Sequence, residues 1–183
     1  MLEEDVREVC QHYSSRPFAV QSLYQRARLL FLSFMRGRRV KELDESIAIA
    51  QDLLEMRPRQ IRRVKLLRML AFCYALRSHM PGNRGISVSR FEDAFQDEST
   101  TTSERLSITW WWAIFARTWD HSSMTLAYQN TLLTLQAALA GTFTVQRRHG
   151  SVARLGLKIH IPFEYASYRI EKDQLELAVE AIE

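Results

Sequence analysis

The side chains best equipped for chemistry here are two cysteines, five histidines and a run of three tryptophans, and spacing limits each. A thiol becomes a catalytic nucleophile when a base stands within hydrogen-bond reach of it. Cys73 and His79 form the nearest such pair, but six residues along one helix set them over a turn and a half apart, on different sides. His12, His79, His121, His149 and His160 lack the i,i+4 spacing of a metal-binding helix, and Cys10 and Cys73 lack ligand spacing. Gly82-Asn83-Arg84-Gly85 has neither the spacing nor the following lysine of a phosphate loop, and there is no GxSxG elbow. These patterns predict a non-enzyme, with no catalytic residue, no cofactor and no metal.

Trp110-Trp111-Trp112 sweeps about 200° of a helix, since successive residues sit about 100° apart. Three tryptophans cannot share one narrow core stripe. Trp112 takes a core position, which leaves Trp110 and Trp111 two placements. Either the helix is buried nearly all round, or both line a groove as aromatic anchors for a partner. The cations also cluster: Arg57, Arg59, Arg62, Arg63, Lys65 and Arg68 follow closely on Arg36, Arg38, Arg39 and Lys41. Such a cluster makes a solvated or salt-bridged face, a site for an acidic peptide, or a nucleic-acid surface. It contains no interleaved aromatic platform and no nucleic-acid motif, which argues against the last.

The elements that carry these residues are helices. With only 6 glycines and 4 prolines in 183 residues, the chain lacks the turns that a sandwich or barrel needs. Apolar residues recur at three- and four-residue steps almost throughout. The spacing predicts helices over about Phe18–Met35, with Gly37 near its C-cap, over about Lys41–Met56, ended by Pro58, and over about Gln60–His79. The turn Met80-Pro81-Gly82-Asn83 precedes a short helix over about Ser87–Gln96. A polar loop, Glu98 to Ser103, supplies a Ser or Thr N-cap ahead of Glu104, and helices follow over about Ser103–Thr118 and Ser122–Ala140. Pro162 starts a further helix, and a last segment runs to Glu183.

No Asp, Glu, Lys or Arg lies between Asp120 and Arg147, a charge-free stretch of about 26 residues that could span a bilayer by length. Gln129, Asn130 and Gln136 would lack partners in hydrocarbon, so a buried helix with a turn at Ala140-Gly141 explains it and no membrane contact is expected. The acidic N-terminus has no signal-peptide pattern, and two distant cysteines staple nothing. Both point to a reducing, intracellular and cytoplasmic setting.

The helices pair as hairpins that resemble one another. Arg26-Ala27-Arg28, Leu70-Ala71-Phe72 and Trp112-Ala113-Ile114 surround a small alanine in the first helix of each pair. Leu53-Leu54, Ala94-Phe95 and Thr131-Leu132 follow Ala50, Phe91 and Tyr128 in the second. The repeat spacing is about 37 to 44 residues, within the range of two-helix repeat families. The expected fold is all-α: stacked antiparallel hairpins in a TPR-like α-solenoid of about 7–8 helices, forming one domain over 1–183. Residues 1–17 read as an N-terminal helix or cap, 18–141 as three hairpins, and 142–183 as an irregular segment with terminal helices.

Glu42-Leu43-Asp44-Glu45-Ser46-Ile47, Leu53-Leu54 and Arg57-Pro58 resemble the repeat of fungal tetratricopeptide arrays that precede a caspase-like CHAT protease domain. The likeness continues at Ser103-Glu104-Arg105-Leu106, Trp112-Ala113 and Ala116, at Ala127-Tyr128-Gln129 and Leu132, and at Leu175 to Glu180. Tyr24-Gln25-Arg26-Ala27-Arg28 and Arg68-Met69-Leu70-Ala71-Phe72 stand where such arrays carry Asn-Asn-Leu-Ala-Asn. The resemblance implies a fragment or stand-alone relative of the helical part, without the protease's catalytic pair.

A protein-binding scaffold follows as the functional expectation, with a basic nucleic-acid-binding domain as the alternative. If the first helices of the hairpins line a groove, its floor includes Tyr24, Gln25, Arg28, Arg68, Met69, Phe72, Trp110 and Trp111. That mixture suits a protein or peptide with acidic and apolar side chains. Leu23, Leu30, Phe34, Ile47, Leu54, Leu70, Phe91, Phe95, Trp112, Tyr128 and Leu132 are expected in the core beside the three alanines. In the last segment, Leu175, Ala178, Val179 and Ile182 are expected to pack inward, with Leu177 outward, at an end suited to self-association.

Overall fold

The computed structural model describes residues 17–59, 61–78, 80, 82–119, 121–140 and 160–180. Among them there are eight helices and no strand: α1 (Pro17–Gly37), α2 (Val40–Met56), α3 (Arg63–Leu76), α4 (Asn83–Gln96), α5 (Thr102–Ala116), α6 (His121–Ala140), α7 (His160–Glu171) and α8 (Leu175–Glu180). They group into two compact units, Met1–Ser99 and Thr100–Glu183, divided within the polar stretch that the sequence marks as a loop. The N-terminal helix or cap expected over 1–17 and the irregular segment expected from 142 lie almost wholly outside the described residues. So does Ile182.

In the first unit, α1 packs on α2, α2 on α3 and α3 on α4. Short links make consecutive helices antiparallel. Arg77 at the end of α3 meets Asp44 near the start of α2 at 2.7 Å, and Arg63 at the start of α3 meets Asp97 just beyond α4 at 3.2 Å. The core comprises Val20, Ala27 and Phe34 from α1, Leu43, Ile47, Ile49, Ala50 and Leu53 from α2, and Ile61 with Leu66, Met69, Leu70, Cys73 and Tyr74 around α3.

Small residues govern how closely these helices approach. Ala27 and Ala71 are fully buried. The Ser46 hydroxyl of α2 donates to the Ala27 carbonyl of α1 at 2.9 Å, and the Ser87 hydroxyl of α4 donates to the Ala71 carbonyl of α3 at 2.9 Å. Four residues after each serine stand Ala50 and Phe91, and seven after stand Leu53 and Ala94, all fully buried. The second hairpin thus repeats the first in register.

In the second unit α5 packs on α6 and α7 on α8. Met124, Tyr128 and Thr131 of α6 are buried at the register of Ser87, Phe91 and Ala94. The Thr131 hydroxyl donates to the Thr109 hydroxyl at 2.7 Å, and the Trp112 indole donates to the Ser123 hydroxyl at 2.6 Å. The α5 N-terminus carries a capping box. Thr101 accepts from the Glu104 amide at 3.3 Å, and the Glu104 carboxylate accepts from the Thr101 amide at 3.0 Å.

Several local expectations need correction. Gly37 closes α1 near its C-cap as expected, although the left-handed conformation falls on the next residue, Arg38 (φ 55°). Glycine is required instead at Gly82, whose φ of 82° N-caps α4 and lets that helix begin at Asn83 rather than Ser87. Helix α3 starts later than expected, because Arg62 is extended and serves as its N-cap. Leu23, Leu30, Leu54, Phe95 and Leu132 are half-buried, at the margins of their helices' inner faces, whereas the other expected core residues are buried. No helix among the described residues is long and apolar enough to cross a membrane.

Candidate functional site

Helix α1 buries one side and leaves the other bare. Val20, Ala27 and Phe34 recur every seven residues and face the core, at no more than 6% exposure. Opposite them, Phe18 is 88% exposed, Leu29 65% and Leu32 47%. An open groove of about 530 Å³ runs along this side, lined by Gln21, Ser22, Gln25, Arg26, Leu29, Leu30 and Ser33. The helix contains no carboxylate. Its cations are Arg26, which forms an ion pair with Glu45 of α2, Arg28, which donates to the Gln25 side chain at 3.2 Å, and the exposed Arg36. The face combines apolar area with positive charge and nothing acidic of its own.

Of the residues expected on a groove floor, Gln25 and Arg28 lie exposed on α1. Tyr24 is half-buried against the core of the first unit. On α3, Arg68 is half-buried, and Phe72 sets its ring edge-on to Phe91 at 5.7 Å. Met69 does not belong on an open floor: it is 7% exposed and part of the core. The cause is that α3 packs against both α2 and α4, so nine of its 14 residues are buried. Trp110 and Trp111 belong to the second unit; Trp110 is half-buried, and Trp111 is 41% exposed with its ring 6.2 Å from Phe115. Trp112 is fully buried, as its register requires. The bare stripe of Phe18, Leu29 and Leu32 was not expected from the sequence, although each stands on the side of α1 remote from Ala27.

Part of the arginine cluster is engaged within the first unit. Arg62 donates to the Ser99 carbonyl, and Arg63 pairs with Asp97. Burial raises the Asp97 carboxyl, but the Ser99 hydroxyl and amide together with Arg63 outweigh it and hold the group below its usual range.

Cys73 is the one cysteine among the described residues. No group of three His, Cys, Asp or Glu could hold a metal there. Cys73 is fully buried and contacts Ser46 at 3.8 Å; burial pushes its thiol up to about 12, the opposite of an activated nucleophile. Its would-be base, His79, lies outside the described residues, as do Cys10, His12 and His149.

The second unit holds a buried polar cluster. Tyr128 stacks on Tyr165 at 4.8 Å, and the guanidinium of Arg169 lies 4.7 Å over the Tyr165 ring. Arg169 is 5% exposed and donates to the Tyr165 hydroxyl and the Gln174 side chain. Beyond it, Leu175 is 59% exposed, Leu177 41% and Val179 56%, while Ala178 is buried. The inward packing expected of Leu175 and Val179 is thus overturned: the six-residue α8 touches α7 along the narrow line marked by Ala178. Compared with protein-family models, with curated proteins and with solved structures, the chain matches none.

Proposed function

We propose that this chain is a non-catalytic, TPR-like helical-repeat scaffold that binds a protein or peptide carrying acidic and apolar side chains. The outward face of α1 is its principal contact surface. One observation carries this reading: Leu29 and Phe18 stand bare on a helix that has no carboxylate and also exposes Arg28 and Arg36. Arginine offers a planar pair of donors to a carboxylate, and the leucine and phenylalanine offer area to an apolar anchor. The recurrence of the serine-to-alanine-carbonyl bond in two successive hairpins supports the repeat character. In this reading the chain acts in the reducing interior of the cell, as the helical part of a CHAT-type protein or a stand-alone relative of it. The exposed Leu175, Leu177 and Val179 support a second, self-associating contact.

The alternative, nucleic-acid binding, requires an open row of cations, and the engagement of Arg62 and Arg63 with Ser99 and Asp97 speaks against it. Affinity capture comparing the wild type with Leu29→Glu and Arg28→Glu, each first shown to be folded, tests the proposal. Both variants should lose partners that the wild type retains; retention of every partner would remove α1 from the account. Binding to RNA or DNA that weakens steeply with salt would favour the alternative.

A further inference from the structure

Ala27 and Ala71 each accept a serine hydroxyl from the second helix of their hairpin, so each residue of α1 corresponds to the residue of α3 that lies 44 places later. Under that correspondence the groove residues Ser22, Gln25, Leu29 and Leu30 match Leu66, Met69, Cys73 and Tyr74, all buried in the core that α1, α2 and α3 share. Ser33, also in the groove, matches Arg77. On α3 this side is filled by α2. Cys73 lies 3.8 Å from Ser46, the Tyr74 hydroxyl accepts from the Gln51 amide at 2.8 Å, and Arg77 pairs with Asp44 at 2.7 Å. The open groove of α1 is thus the counterpart of the seat that α2 takes on α3.

We propose that this groove receives a helix of a partner protein, antiparallel to α1 and in the register that α2 takes on α3. The proposal rests on the reading of that face as a contact surface, and it fixes the form and direction of the occupant. Two differences between the seats give its chemistry. Leu30 stands where Tyr74 takes a hydrogen bond, so the occupant meets it with an apolar side chain rather than an amide. The Ser22 hydroxyl is returned to its own helix at Phe18, so a small residue in the place of Leu66 leaves room for a second apolar group. Positive charge near the end of α1 comes from the exposed Arg36, about one turn beyond Ser33. An antiparallel helix sets its first turn there, where a carboxylate meets Arg36 and also the positive end of its own helix dipole. Asp44, near the start of α2, makes that contact with Arg77.

The probe is the sequence of α2 itself, residues 40–56, as an end-capped peptide with five carboxylates and one lysine. It should bind the full chain saturably, and Gln51→Leu in the peptide should tighten binding severalfold, since Leu30 offers no hydrogen bond to the amide. In the chain, Leu29→Glu should weaken binding at least about tenfold and Arg36→Glu severalfold. A nitroxide at the peptide's N-terminus should broaden the amide resonances of Ser33 to Arg36 and spare those of Phe18 to Ser22. No binding at millimolar peptide would overturn the proposal. So would binding indifferent to Leu29→Glu, or broadening at Phe18 to Ser22. The two readings separate. If Leu29→Glu loses partners from affinity capture but the peptide fails to bind, or lies reversed, the face is a contact surface and the helical seat is wrong. If the peptide seats as described and no captured partner is lost, the seat stands and those partners use another surface.

Discussion

The Ser87 hydroxyl reaches from α4 to the Ala71 carbonyl at 2.9 Å, and neither residue exposes any surface. The same bond joins Ser46 to Ala27 one hairpin earlier. Each carbonyl also accepts from its own helix, so the serine adds a second bond rather than rescuing an orphan. Ser46→Ala and Ser87→Ala should therefore each cost about 1 kcal/mol in urea unfolding. Ser22→Ala, on an exposed serine that only returns to its own helix at Phe18, should change stability by less than about 0.5 kcal/mol. A cost at one buried serine and none at the other would break the equivalence of the two hairpins.

Adjacent tryptophans offer a sharper contrast. Trp112 is fully buried with its indole N–H on Ser123 at 2.6 Å, while Trp111 is 41% exposed. Trp112→Ala should cost about 3–5 kcal/mol, the range for deleting a large buried aromatic. Trp111→Ala should cost under about 1 kcal/mol. Reversal of the two values would mean that α5 is rotated by one residue.

The helices, the hairpin pairing and the buried alanines were legible because a small residue amid apolar neighbours at helical spacing marks a place where two helices approach closely. Ser46 and Ser87 were not legible: a serine in a helix ordinarily marks a solvent-facing side, and only the partner helix makes it a buried donor. Met69 misled for a related reason. A helix packed on two sides, as α3 is, has no single apolar stripe, so periodicity does not tell floor from core. Gln25 and Arg28 were placed on an open face, but Leu29 went unread because it adjoins Leu30 in sequence, although it stands on the side of the helix remote from the core stripe. In α8 the apolar residues outnumber the contacts that six residues can make.

Stability should fall in alkali, through groups buried in both units. Burial pushes the Cys73 thiol from 9.0 up to about 12. For Tyr128, burial first and then Glu164 and Glu171, partly offset by Arg117, raise the hydroxyl from 10.0 to about 12. Burial likewise raises Tyr74, against the pull of Arg90 and Arg77. In each case the folded state holds its proton more tightly than the unfolded chain. Their stabilising contribution is thus complete below about pH 9 and is lost as pH rises toward about 12. Urea midpoints measured from pH 8 to 11 should decline, and Cys73→Ala should flatten the decline between about pH 9 and 10. A midpoint that rises over this range would contradict the assignment.

Arg169 should hold the α7–α8 corner together. Helix α8 has six residues, far below the length of about 12 to 15 at which an isolated helix becomes even marginally stable, so its order must come from packing. Ala178 supplies one contact; Arg169 supplies another, through Gln174 at the foot of α8 and Tyr165 one turn earlier on α7. Its guanidinium carbon lies 4.7 Å over the Tyr165 ring while two nitrogens donate to different partners, a geometry that a lysine ammonium does not reproduce. Arg169→Met should cost about 1–3 kcal/mol and speed amide exchange across α8, leaving α5 and α6 unchanged. Arg169→Lys should lose most of the same protection. If the lysine variant keeps α8 as protected as the wild type, positive charge near the end of α7 suffices, and the planar fork is not what secures the corner.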